Sequence, residues 1–164
     1  MSRKKIVGVM GAGNGATSEN IQDAYELGQA IAWHGWVTLT GGRPAGVMEA
    51  VNRGAKEKGG LTVGILPGGD RRQASEFVDI VICTDMGNAR NNVNVLTAEV
   101  VVAIGMGMGT ASEVALAIKN QRPVILLKPD TEAIAFFSKF APHQIKRADS
   151  IDAAIALIQK YLNP

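Results

Sequence analysis

The chain has 164 residues, 46% hydrophobic and 20% charged, and carries a formal net charge of +2. That length allows one domain with a substantial core, drawn over residues 1–164. The weak charge and the 5% aromatic content argue against nucleic-acid and membrane-surface partners, which call for a strong basic field or exposed stacking rings. No apolar run approaches the roughly 18–20 residues of a membrane-spanning helix. Ser2–Lys5 leads into a strand without the apolar stretch of a secretory leader. Cys83 is the sole cysteine, so no intrachain disulfide can form, and a reducing, cytoplasmic setting is expected. Cys83 ends the apolar run Val78–Cys83, and burial as a small hydrophobe is expected there.

The chain reads as strand, loop and helix in repeated succession. Lys5–Met10 is an apolar strand, followed by the loop Gly11–Thr17 and a helix from about Ser18 to His34. Ile21, Ala24, Leu27, Gly28 and Ile31 keep helical spacing, and Gly35 stops the helix. Trp36–Thr40 is a second strand, and Gly41–Pro44 introduces a helix that ends at Gly59 and Gly60. Leu61–Leu66 is a third strand and Val78–Cys83 a fourth, with the polar loop Pro67–Arg72 between them. An asparagine-rich helix from Met86 to Thr97 precedes the β-branched run Val100–Ile104. A glycine-rich loop follows, then a helix opening at Thr110. Pro123–Leu127 is a sixth strand, Asp130 begins a short helix, Ile145 marks a brief extended piece, and Ser150–Leu162 is the last helix. Strands that are continuous apolar runs, alternating with helices, predict a doubly wound, mainly parallel α/β sheet covered on both faces. In such a Rossmann-like fold, ligands bind beyond the carboxyl ends of the strands.

The loops at that edge carry the candidate chemistry. Gly11, Gly13, Asn14 and Ala16 fit a G-x-G-x-x-A pattern, but the next strand ends in Thr40 without the carboxylate a dinucleotide ribose needs. Arg43 suits the extra phosphate of NADP, yet no hydride-transfer apparatus accompanies it, and a tight turn approaching an anion is the better reading. Gly41 and Gly42 free the backbone before Arg43, a fork of donors, and Gly46 follows at the next helix. Gly105, Gly107 and Gly109 alternate in the loop after Val100–Ile104, beside Met106 and Met108. Backbone amides there, at a helix start, attract phosphate or another oxyanion. Thr110 and Glu113 form a T-x-x-E capping box on one reading, and place an acid or base against the ligand on the other. Asn88, Asn91, Asn92 and Asn94 are poor helix formers, so polar presentation is the expected reason for them. Asn88 and Arg90 are the expected ligand contacts, whereas Asn91 and Asn94 face solvent or a partner subunit. Methionines without neighbouring His or Cys make a poor soft-metal site, so no metal ligand is assigned and Met106 and Met108 read as flexible packing.

Thr40–Arg43 with Gly46–Met48, and Gly107–Glu113, resemble the G-G-G-x-x-G-x-M and P-G-G-x-G-T-x-x-E motifs of the LOG-like Rossmann superfamily. Its enzymes are phosphoribohydrolases that split a nucleoside monophosphate into base and ribose 5-phosphate. By that resemblance Arg90 and Glu113 stand at the catalytic positions. Arg43 replaces the third glycine of the first motif, Gly105 and Met106 replace Pro-Gly of the second, and Asn91 replaces a lysine. A narrower likeness covers nearly the whole chain. His34–Trp36, Leu39–Arg43, Gly46–Met48, Arg53–Lys56 and Ala103–Ala117 resemble the molybdenum cofactor carrier proteins. This resemblance implies a homodimer or homotetramer that binds, protects and transfers molybdenum cofactor to molybdoenzymes such as nitrate reductase, with no catalytic residue. The alternatives are a phosphoribohydrolase using Arg90 and Glu113, or a nucleotide sensor.

Overall fold

The strands are β1 (Ile6–Gly11), β2 (Val37–Thr40), β3 (Thr62–Leu66), β4 (Ile80–Cys83), β5 (Val100–Ile104), β6 (Val124–Leu127) and β7 (Ile145–Ala148). The helices are α1 (Ser18–Trp33), α2 (Gly46–Glu57), α3 (Arg90–Thr97), α4 (Met108–Lys119), α5 (Thr131–Phe140) and α6 (Ile151–Leu162). The computed structural model describes residues 3–163; Met1, Ser2 and Pro164, included in the domain drawn from the sequence, lie outside the described residues. Every strand pairing is parallel, in the order β4-β3-β2-β1-β5-β6-β7. This is the doubly wound, Rossmann-like α/β arrangement expected from the apolar runs. No helix among the described residues is long and apolar enough to cross a membrane.

The chain steps outward from β1 to β4, then crosses back to lay β5 on the other side of β1. Winding therefore reverses between β1 and β5, where the loops part and leave a crevice beyond the strand ends. β5 is buried at every position, and both sheet faces bear helices, which is why its sequence is β-branched without alternation. On one face α1, α2 and α6 pack through Leu27, Ile31, Val51 and Ile158. On the other, α3, α4 and α5 supply Val95, Val114 and Phe137.

The glycines of α1 and α2 permit a close crossing of those helices. A Cβ on Gly28 would stand 2.1 Å from the Val51 carbonyl oxygen, and one on Gly54 would stand 2.0 Å from that of Tyr25. The α1 start is fixed by reciprocal bonds: Thr17 Oγ1 accepts from Asn20 N at 3.1 Å, and Asn20 Oδ1 accepts from Thr17 N at 3.2 Å. That places the Gly11–Thr17 loop firmly against the crevice.

Two local expectations are corrected. Cys83 is exposed, because β4 is the sheet's edge strand and Ile80 and Ile82 beside it stay 46% and 40% exposed. The apolar run there belongs to an edge that the helices do not cover. Helix α4 begins at Met108 with Gly107 as its N-cap, so Thr110 is buried in the first turn and caps nothing. The brief extended piece expected at Ile145 is β7, paired with β6 from Val124 to Leu127.

Candidate functional site

Four segments meet beyond the carboxyl ends of β1, β2 and β5 and enclose a cavity of ≈ 360 Å³. The first is the turn after β1, Gly11 to Asn14. It is tied to β5 by Ala12 N donating to Ile104 O at 3.2 Å, and to α2 by Val47 N donating to Ala12 O at 3.0 Å. Gly46, at φ 50°, makes that second approach possible, since a Cβ there would lie 2.1 Å from Gly13 O.

The second segment follows β2. Thr40 Oγ1 accepts from Gly42 N at 3.0 Å and from the buried Asn52 Nδ2 at 3.1 Å, which turns the chain sharply. Gly42, at φ 77°, is pressed against Gly64 and does not reach the cavity. Gly41 and the exposed Arg43 do line it.

The third segment is α3 and the turn before it. Arg90 is only 7% exposed, and its guanidinium is largely committed to the protein. Nε donates to Ile65 O at 2.9 Å, Nη2 reaches Gly41 O at 3.4 Å, and Nη1 donates to Asn91 Oδ1. Arg90 thus ties β2, β3 and α3 together behind the cavity. Asn91 and Asn94 are buried rather than turned to solvent, a correction to the sequence reading. Asn91 Nδ2 donates to Ser112 Oγ and Asn94 Nδ2 to Glu113 Oε1, each at 2.8 Å, so these amides join α3 to α4. Arg90 and Asn94 are i, i+4 neighbours, and that spacing was the signal available for placing Asn94 on the same inward face.

The fourth segment is the start of α4, from Gly107 to Thr110, with Glu113 deeper in. Its N-cap has no side-chain partner, so the first amides of α4 open toward the cavity. A Cβ on Gly13, Gly107 or Gly109 would meet nothing within 4 Å, which leaves the backbone approachable at all three. Met108 is 85% exposed at the rim, whereas Met106 packs against the core under α4.

Glu113 and Arg90 face each other across 3.9 Å, Oε1 to Nη1. Burial pushes the Glu113 carboxyl above the ordinary range, and the Asn94 bond and the charges of Arg90 and Arg43 offset it only in part. Burial likewise pulls Arg90 below its usual value, with Glu113 opposing and Arg43 reinforcing the shift. Desolvation outweighs mutual attraction for both partners, as is common for buried ion pairs.

Of the residues put forward as ligand contacts from sequence, all but Gly42, Gly46 and Gly105 stand on the cavity wall, whereas Ala16, Asn92, Asn94 and Met106 do not line it. Gly105 lines a neighbouring cavity of ≈ 350 Å³ instead, where a Cβ would sit 2.7 Å from Asn20 Oδ1. Met48 and Pro67 also line the main cavity and were not anticipated as site residues. Pro67 follows directly on the third strand at the same sheet edge, which was the usable signal.

A model of the SLOG cluster4 family matches residues 4–155. The chain belongs to this family. Among solved structures, the molybdenum cofactor binding protein of Rippkaea orientalis is 51% identical, with 99% of this chain and 100% of that one covered at a TM-score of 0.97. The molybdenum cofactor carrier protein of Chlamydomonas reinhardtii is 47% identical, with 99% and 100% covered at a TM-score of 0.95. A cytokinin riboside 5'-monophosphate phosphoribohydrolase of Mycobacterium tuberculosis is 29% identical over 75% of this chain and 70% of its own length.

Proposed function

We propose that this chain binds molybdenum cofactor in the cavity at the switch point and carries it unchanged to acceptor enzymes. The observation that carries the proposal is the pairing of an α4 start without a side-chain cap with a buried Arg90–Glu113 floor in one ≈ 360 Å³ cavity. That volume falls within the roughly 300–1,000 Å³ typical of small-molecule sites. The amides from Gly107 to Thr110 and the exposed Arg43 suit the cofactor's phosphate. Asn88, Asn14 and the Thr110 hydroxyl offer neutral partners for a pterin edge. The open backbone at Gly13, Gly107 and Gly109 fits a guest that lies close against the turns. When bound, the cofactor supplies the oxo-molybdenum dithiolene centre that molybdoenzymes use. This chain's residues hold it.

The carrier relatives at 47% and 51% identity support the same reading. A single cytoplasmic domain, assembly into two or four copies, and delivery to enzymes such as nitrate reductase belong to it. The test mixes purified protein with molybdenum cofactor and passes it through gel filtration. Cofactor that travels with the protein and then reconstitutes a cofactor-free nitrate reductase supports carriage. Loss of the cofactor on the column, with no reconstitution, ends the proposal.

The facing Arg90 and Glu113 favour one second reading, a nucleotide phosphoribohydrolase in which Glu113 assists departure of the base. Asn91 stands where the resemblance calls for a lysine, and its side chain is already engaged by Arg90 and Ser112. Incubation with AMP decides: adenine release abolished by Glu113→Ala supports hydrolysis, and intact AMP refutes it.

A further inference from the structure

The Glu113 carboxylate is 7% exposed and ends on the wall of the main cavity. Its hydrogen bond from Asn94 and its approach to Arg90 both involve Oε1. Oε2 has no partner among the described residues, and it is not sealed away from the cavity as the orphaned Asn94 Oδ1 is. One oxygen is therefore held by the protein while the other seeks a donor from whatever enters.

The anionic parts of a guest cannot meet that demand, because phosphate oxygens and dithiolene sulfurs are acceptors and carry like charge. Arg90 does not meet it either: its Nε, Nη1 and Nη2 bonds go to Ile65, Asn91 and Gly41. Adjacent N–H donors in the plane of a ring match a carboxylate best. The amino-pyrimidinone edge shared by pterins and guanine offers them: a ring N–H beside the exocyclic 2-amino group. The Glu113–Arg90 pair leaves the floor nearly neutral, which suits a neutral heterocycle. Glu113 lies five residues beyond Met108 in α4, about 7.5 Å along the axis at ~1.5 Å per residue. Floor and rim thus address opposite ends of an elongated guest.

We propose that Glu113 determines the specificity of the cavity by accepting hydrogen bonds from an amino-pyrimidinone edge, with the guest's phosphate end lying toward the start of α4. The inference rests on the reading of this cavity as the cofactor site, and it adds an orientation: heterocycle inward, phosphate at the rim.

The experiment titrates the full chain with matched probes that differ at the 2-position. One pair is GMP and IMP; the other is 6-hydroxymethylpterin and 6-hydroxymethyllumazine. The 2-amino member of a pair binds about tenfold or more tightly, since a polar site left unpaired rejects the analogue strongly. Preference in only one pair identifies the source of the edge as guanine or pterin. Glu113→Gln narrows the ratio to about twofold, because an amide presents one acceptor and one donor in place of two acceptors. Glu113→Asp keeps the charge, withdraws it by one methylene and narrows the ratio too, and circular dichroism confirms that each variant is folded. Equal affinities within both pairs, no binding by any probe, or an unchanged ratio in folded variants overturns the proposal. Retention of molybdenum cofactor without any 2-amino preference overturns the role of Glu113 alone. A 2-amino preference without cofactor retention overturns the carrier reading and leaves the Glu113 role standing.

Discussion

Replacing Arg90 with methionine removes the guanidinium and keeps a flexible side chain of similar reach. Arg90 bonds Ile65 O at 2.9 Å, reaches Gly41 O at 3.4 Å, engages Asn91, and stands 3.9 Å from Glu113. A hydrogen bond to a charged group contributes about 1.5–3 kcal/mol, and stranding one member of a buried pair costs about 3–5 kcal/mol. Two circumstances hold the loss toward the low end. Water from the adjoining cavity can reach part of the vacated site, and Glu113 can take up a proton rather than remain an isolated charge. The expected loss is therefore about 3 kcal/mol, or roughly 6–12 °C in the midpoint at 2–4 °C per kcal/mol for a chain of this size. Urea unfolding at neutral pH reads it as a shift in midpoint at constant slope. Adding Glu113→Gln removes the stranded charge and restores at least about 1 kcal/mol, a coupling characteristic of contacting groups. A loss below about 1 kcal/mol, or a double variant no more stable than the single one, refutes the view of Arg90 as a structural tie.

Three further outcomes follow from particular contacts. Burial raises Glu113 above its ordinary 4.5, so its contribution to stability is complete below the unfolded value and is lost as pH climbs through the raised folded value. Arg90 and Arg43 are the cations that face it, and unfolding curves of wild type and Glu113→Gln diverge with rising pH; parallel pH dependences refute the assignment. Gly28→Ala lowers stability by about 1–3 kcal/mol through overpacking against Val51 O, although alanine favours an isolated helix by ~1 kcal/mol. An unchanged thermal midpoint refutes the close α1–α2 crossing. Cys83 reacts with Ellman's reagent in the native chain, and protection until denaturant is added refutes its exposure on β4.

The main cavity gathers much of what the loops promised, for a local reason. Glycine at 11, 13, 41, 107 and 109 lines it, and strand-then-helix order puts those turns on one sheet edge. Gly42, Gly46 and Gly105 carry the same letter for another purpose: two take positive φ against Gly64 and Gly13, and the third, also at positive φ, sits against Asn20. Nothing in a glycine's neighbours along the chain separates these uses. The Thr110–Glu113 spacing was equally ambiguous, and its capping-box reading fell when Gly107 took the cap and Asn94 engaged the carboxylate.

Buried apolar runs, helical spacing and glycine-marked turns depend on residues within a few positions of one another, so the chain alone determined a parallel, doubly wound sheet and the edge that bears the loops. Which polar groups meet at that edge depends on residues far apart in sequence, as when Arg90 reaches Gly41 and Ile65. Exposure of Cys83 likewise depends on β4 lying at the end of the sheet, beyond the cover of the helices. Only the tertiary structure decides such matters, because desolvation and hydrogen bonding act between neighbours in space.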